Sequence, residues 1–310
     1  MEQSLTSTSS EFLTDAGLET DLIFRRNVKL DYFCAFLMLR TEAGCQILND
    51  YYHEFLTLAV KYNKNFILET PTWRSSMDWA AKLCIDQSEL SDLNRKAITL
   101  MKKLKNEYSN QIENLIISGQ IGPRGDGYQI SLQMGIVEAK NYHLMQLKTF
   151  QEAGVEICTA MTINYIAEAL GIVLAAKGLK MPIVISFTTE TDGNLPSGET
   201  LEEAIKLIDT QTNEYPLYYM LNCCHPSHFY SKLIKIEEKY LKRIQGIRCN
   251  ASKLSHKELD VLEELDRGDL NELAELYLQI KKNLPFVRIF GGCCGTDSEH
   301  IKTICEKLFT

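Results

Sequence analysis

Ten cysteines in 310 residues are unevenly spread, and four of them form two adjacent pairs, Cys223-Cys224 and Cys293-Cys294, the second preceded by Gly291-Gly292. The distance and torsion of a relaxed disulfide do not suit neighbouring cysteines, so metal binding is the better use of each pair. Thiolates are soft ligands. Softness points to zinc, which takes sulfur at about 2.3 Å and in catalytic sites commonly keeps three protein ligands and one exchangeable position. The glycines ahead of Cys293 let the backbone turn closely enough for both thiols to face one ion. The other six, Cys34, Cys45, Cys84, Cys158, Cys249 and Cys305, fall singly in apolar patterns, where a cysteine packs as a small hydrophobe.

These pairs must be positioned by regular elements. Short β-rich runs alternate with longer helical patterns along the whole chain. The candidate strands are Phe12 to Asp15, Asn65 to Thr70, Leu115 to Ile121, Val155 to Thr162, Ile183 to Thr188, Leu217 to Cys223, Ile244 to Asn250 and Phe286 to Gly292. Between them, helical spacing covers Ser88 to Asn106, Ile136 to Ala153, Leu201 to Thr210 with Ser197 and Glu199 ahead of it, and Asp269 to Lys281. Eight β-then-α units with near-continuous apolar strands predict an α/β fold, a single-domain (β/α)8 TIM barrel. No Gly-x-Gly-x-x-Gly turn follows any strand, which argues against a doubly wound sheet. Residues 1–10, rich in Ser and Thr, are expected to be a disordered N-terminal segment, and 11–310 the barrel. Both cysteine pairs fall at the C-terminal ends of strands, where barrel enzymes gather their chemistry.

Composition removes several function classes. Apolar residues make up 45% and charged ones 24%, as in ordinary globular domains. Acids outnumber bases, 41 to 33, for a formal charge of -8 with no dense basic stripe, so nucleic acid is not an expected partner. The apolar stretch Gly171 to Phe187 is broken by Lys177, Lys180 and Pro182 and reads as a helix and a strand, not a membrane span. With no signal-peptide pattern at its start, the expected location is cytoplasmic, and the cysteines are expected as reduced thiols or metal ligands.

The strings Thr14 to Thr20 (TDAGLET), Leu221 to Cys223 (LNC) and Gly291 to Thr296 (GGCCGT) resemble the homocysteine S-methyltransferase family, from about Phe12 to the C-terminus. The resemblance implies a zinc-containing barrel that methylates homocysteine to methionine. It implies Cys223, Cys293 and Cys294 as zinc ligands, and Asp15 with the backbone of Ala16 and Gly17 as contacts to the amino acid acceptor. Successive strand residues point to opposite faces, so at most one of Cys223 and Cys224 should face the barrel mouth, and Cys223, the position the resemblance marks, is taken as that one. His225 and His228 are read as loop residues, and His53, His143, His256 and His300 as parts of helical patterns. The donor would be S-methylmethionine, S-adenosylmethionine or a betaine, each a cation that suits a site of three thiolates.

The chain departs from the family at the end of the fourth strand, where members commonly carry Glu-Thr and this sequence has Met161-Thr162. Glu190, after the fifth strand, is the expected substitute for that charge, with Glu69 as the other candidate. Gln120, Arg124 and Asn222 are further strand-end polar residues, and residues 122–127 are read as a flexible active-site loop. Two alternatives accompany this reading: a methyltransferase for another thiol or selenol, and a non-catalytic barrel that binds zinc or senses thiol oxidation.

Overall fold

All eight strand segments form parallel strands in the computed structural model, which describes residues 10–128, 130, 133–259, 261–262 and 264–310. They are β1 (Phe12–Leu13), β2 (Asn65–Glu69), β3 (Leu115–Ile121), β4 (Ile157–Ile163), β5 (Ile183–Phe187), β6 (Tyr219–Asn222), β7 (Ile244–Cys249) and β8 (Ile289–Gly292). The strands close into one barrel in chain order, Phe12 of β1 standing opposite both Asn65 of β2 and Ile289 of β8. The expected single-domain (β/α)8 barrel is the fold. The expected disordered lead lies outside the described residues except for Ser10.

A major helix follows each strand: α1 (Glu42–Lys61), α2 (Gln87–Tyr108), α3 (Ile136–Ala153), α4 (Ile166–Leu179), α5 (Leu201–Thr212), α6 (Pro226–Leu233), α7 (Leu270–Asn283) and α8 (Ser298–Phe309). Their starts follow from side-chain caps. Asp86, Asp269 and Asp297 each accept a backbone N–H of the first turn, satisfying donors that have no partner within the helix. At α5 the cap is Thr200 with Glu203, not Ser197 with Glu199, because Glu199 instead accepts the amide of Ile166 at the start of α4. The stretch from Gly171 to Phe187 divides into α4 and β5 as the sequence predicts. Among the described residues, no helix is long and apolar enough to cross a membrane.

The barrel interior is layered. Phe12, Ile67, Ile116, Ile157, Val184, Tyr218, Met220 and Ile289 form a closed apolar plug, each worth roughly 1.5–3 kcal/mol of burial for the larger side chains. Two residues further along the strands the same inward face turns polar, with Glu69, Ser118, Thr159, Ser186, Asn222 and Arg248, all buried. Period-two alternation thus places a polar floor above the plug, under the C-terminal mouth.

Candidate functional site

The cysteine site is built where β6 and β8 end. Cys223 leaves β6 with φ 56, a left-handed conformation that β-strand continuation forbids. Its neighbour Cys224 turns the other way into the core between barrel and helices, where burial pushes its thiol up to about 11. On β8, a Cβ at Gly291 would overlap the Thr14 hydroxyl, and one at Gly17 would overlap the Cys293 carbonyl. These two glycines let the ends of β1 and β8 touch, and Cys293 then donates its amide to the Cys249 carbonyl at 2.9 Å.

The result is a cluster in which the Sγ atoms of Cys223, Cys293 and Cys294 all lie within 4.8 Å of one another. Cys223 and Cys294 are 3.8 Å apart at sulfur, the separation of about 3.8 Å that tetrahedral geometry with 2.3 Å metal–sulfur bonds requires. Three convergent sulfurs with no carboxylate among them fit a soft divalent metal. Cys223 and Cys293 are joined as a disulfide, their Cα atoms 5.4 Å apart. That departs from the expectation of thiols or metal ligands throughout, and the reason is geometric: sulfurs close enough to share an ion are also within bonding reach across two strands. Neither adjacent pair bonds to itself.

Asp15, just beyond β1, is buried beside the cluster. Its Oδ2 accepts from Tyr51 at 3.1 Å, and its Oδ1 lies 2.9 Å from Nη2 of Arg248. Burial raises the Asp15 pKa, opposed by the charge of Arg248 and the Tyr51 hydrogen bond. Arg248 also donates to the carbonyls of Gly292 and Ala16, each at 3.1 Å, so one guanidinium ties together the ends of β1, β7 and β8. The amides assigned to the acceptor by resemblance already have partners: Ala16 donates to the Tyr51 oxygen at 3.2 Å and Gly17 to the Thr296 carbonyl at 3.3 Å.

A cleft of about 340 Å³ opens over this floor, lined by the three clustered cysteines, Asp15, Arg248 and Met161 together with Trp73 and Tyr128. Thr162, next to Met161, holds φ 61 because Asn222 grips it twice, accepting its amide and donating to its hydroxyl, both at 2.8 Å. Glu190 does not line the cleft. It stands in an adjoining shallow groove with its Oε1 3.6 Å from Nδ1 of His256. The carboxylates that do line the cleft besides Asp15 are Glu19, Asp126, Glu264 and Asp266, and burial holds Glu19 up to about 7.

Residues 122–127, expected as a flexible loop, are tied down. Arg124 donates to Asp78, Glu138 and, through its amide, Glu168, all at 2.7 Å, while Asn164 holds the carbonyls of Asp126 and Gly127. The loop ends in Tyr128, whose hydroxyl donates to Cys223 Sγ at 3.2 Å and whose ring stacks on His256 at 3.9 Å. His256 in turn donates from Nε2 to the Cys223 carbonyl at 2.6 Å. Neither Tyr128 nor His256 stands out in the sequence, though an aromatic residue closing a Gly-rich strand-end loop is a usable signal.

Glu69 ends β2 in the polar floor, hydrogen-bonded by Ser118 and Thr159 but with Oε2 lacking a protein partner. Burial raises its pKa from 4.5 to about 7, with Arg248 opposing. Within that window the folded chain keeps a proton the unfolded chain has lost, so this residue's contribution to stability falls as pH rises. Glu69→Gln should therefore leave stability near wild type at about pH 4.5 and raise it by about 3 kcal/mol at about pH 8, read from urea unfolding. An equal effect at both values would contradict the assignment.

The sequence matches the model of the homocysteine S-methyltransferase family over residues 12–308. It is 25% identical to homocysteine S-methyltransferase 1 of Arabidopsis thaliana over 245 residues, covering 73% of each chain. It is 22% identical to homocysteine S-methyltransferase 1 of Brassica oleracea var. italica over 261 residues, covering 78% of each. Among solved structures, its fold is similar to the homocysteine methyltransferase MmuM of Escherichia coli. The oxidized form superposes with TM-score 0.79 at 16% identity, covering 99% of both chains. The metallated form gives 0.76 at 15%, covering 99% of this chain and 100% of that one. With a family match across nearly the whole barrel, this chain belongs to the homocysteine S-methyltransferase family.

Proposed function

We propose that this chain transfers a methyl group from a sulfonium or ammonium donor (S-methylmethionine, S-adenosylmethionine or betaine) to homocysteine, giving methionine, at a zinc site made by Cys223, Cys293 and Cys294. The observation that carries the reading is the convergence of those three sulfurs within 4.8 Å at the barrel mouth. A free thiol has a pKa near 8.5 and is mostly protonated at neutral pH. Bound zinc would supply the Lewis acidity that keeps the acceptor sulfur deprotonated.

The sulfur lone pair attacks the methyl carbon in line. A new S–C bond forms, the C–S⁺ or C–N⁺ bond of the donor breaks, and its electron pair leaves a neutral donor product. The chain's residues orient both partners. Asp15 and Arg248 form the inner wall, and Phe24, Phe33 and Trp73 line the same cleft, with Arg74 lying over the rings of Trp73 and Phe33. Tyr128 and His256 cover the sulfurs from the loop side, limiting water. The setting proposed is the cytoplasm, in methionine formation, with small-molecule thiol and methyl donor as the partners. Met161, in place of a carboxylate, favours as a second reading another thiol or selenol acceptor.

Reduced protein reconstituted with zinc is expected to hold about one ion per chain and to form methionine from homocysteine with at least one of the three donors. Turnover by metal-free protein would overturn the zinc site. A fully loaded protein inactive with all three donors would overturn homocysteine as acceptor and leave the second reading.

A further inference from the structure

We propose that Arg248 is the anchor for a carboxylate on the methyl acceptor, so that the acceptor class is a thiol carrying a carboxylate, with an α-ammonium dispensable. This rests on the thiol-methylating reading of the same cleft and specifies which thiols it admits. Four observations converge on it. The amides of Ala16 and Gly17 are engaged with Tyr51 and Thr296 and are not available to a ligand. Arg248 lines the cleft, is 4% exposed, and keeps Nη1 without a protein partner while Nε and Nη2 are used. A buried guanidinium donor left unpaired is costly, and a carboxylate is the planar acceptor that matches it.

The third observation is charge. Asp15 is paired with Arg248 at 2.9 Å and Met161 carries no charge, so neither offers an ammonium an unpaired negative partner. Asp15 Oδ1 makes no hydrogen bond of good geometry, and a zwitterion could set its ammonium there while its carboxylate takes Nη1. The carboxylate contact is then the stronger of the two. Fourth, the other cation of the cleft is committed elsewhere: Arg74 donates to the Tyr32 carbonyl at 2.7 Å and to Asp126 at 3.2 Å, and stacks over Trp79 at 4.2 Å.

The test is a binding titration on reduced protein loaded with Co²⁺, following the sulfur-to-metal charge-transfer absorption as each thiol is added. The panel is homocysteine, 4-mercaptobutanoate, which lacks the ammonium, and 3-mercaptopropylamine, which lacks the carboxylate. 4-Mercaptobutanoate should bind within about tenfold of homocysteine, and the amine at least roughly 100-fold more weakly. In Arg248→Gln that discrimination should shrink to less than about tenfold. Because Arg248→Gln leaves Asp15 buried without its partner, Asp15→Asn/Arg248→Gln provides a neutral pair with the same expectation.

Equal binding of acid and amine by the wild-type protein, or failure of both acids to bind, would overturn the anchor, as would discrimination that survives in the neutral pair. Methylation is assayed on the same samples. Discrimination without methyl transfer would refute the proposed reaction and uphold the anchor, whereas methyl transfer without discrimination would do the reverse.

Discussion

Cys293→Ala should abolish both metal retention and methyl transfer, while Cys224→Ala, one residue from a ligand in the other pair, should keep both. The contrast follows from where the side chains go. Cys293 lies in the cluster of three sulfurs with Cys223 and Cys294, whereas Cys224 is buried among core residues on the helix side. Removing a ligand should cost more than the roughly 10–100-fold in affinity that loss of an outer-shell partner costs. Elemental analysis after dialysis reads the first effect and a methionine assay the second. A zinc-free Cys293→Ala protein that still turned over would sink the metal-based reading, and loss of zinc from Cys224→Ala would show that the wrong cysteine of the pair had been chosen.

Asp15→Ala is expected to be the most destabilising substitution in the cleft, by about 3–5 kcal/mol, because it leaves Arg248 buried without its counter-charge. The guanidinium is buried and its pKa is held above the usual value by Asp15 and Glu69 against the cost of burial. Asp15→Leu/Arg248→Met, which removes both charges, should recover most of that loss. Urea unfolding of the two single variants and the pair gives the coupling directly. A pair as unstable as the worse single variant would mean that packing, not the stranded charge, sets the cost.

The barrel was legible because its strands are buried on both sides. Runs such as Ile183 to Phe187 and Leu115 to Ile121 are apolar at almost every position, and little else in a globular chain produces eight of them separated by helical spacing. The placement of Cys223 and not Cys224 at the mouth was not legible from alternation, which continued from Met220 and Asn222 would have turned Cys224 inward; the left-handed turn at Cys223 reverses it. Nor was Arg248 legible. It lies in an otherwise strand-like run, and its partner Asp15 is distant in sequence, so only closure of β1 against β8 reveals the pair. The partners of the Ala16 and Gly17 amides, Tyr51 on α1 and Thr296 after β8, are equally distant in sequence and equally invisible to local pattern. The charge of Glu190 and its place after β5 point to the cleft, but it stands in the adjoining groove, with His256 lining both, and the contact of His256 with the Cys223 carbonyl is also long-range.

The seam of the barrel runs through this site. Thr14 donates to Phe290 at 2.9 Å and Gly292 to Asp15 at 3.0 Å, so the junction of β1 with β8 carries Asp15 on one side and the last two sulfurs on the other. A growing chain on the ribosome therefore owns one sulfur of the three until residues 293 and 294 have been added, and it cannot seal the barrel before then. A metal held by all three sulfurs would be captured only after β8 is made, fastening strands already present and not serving as a nucleus around which the first strands assemble.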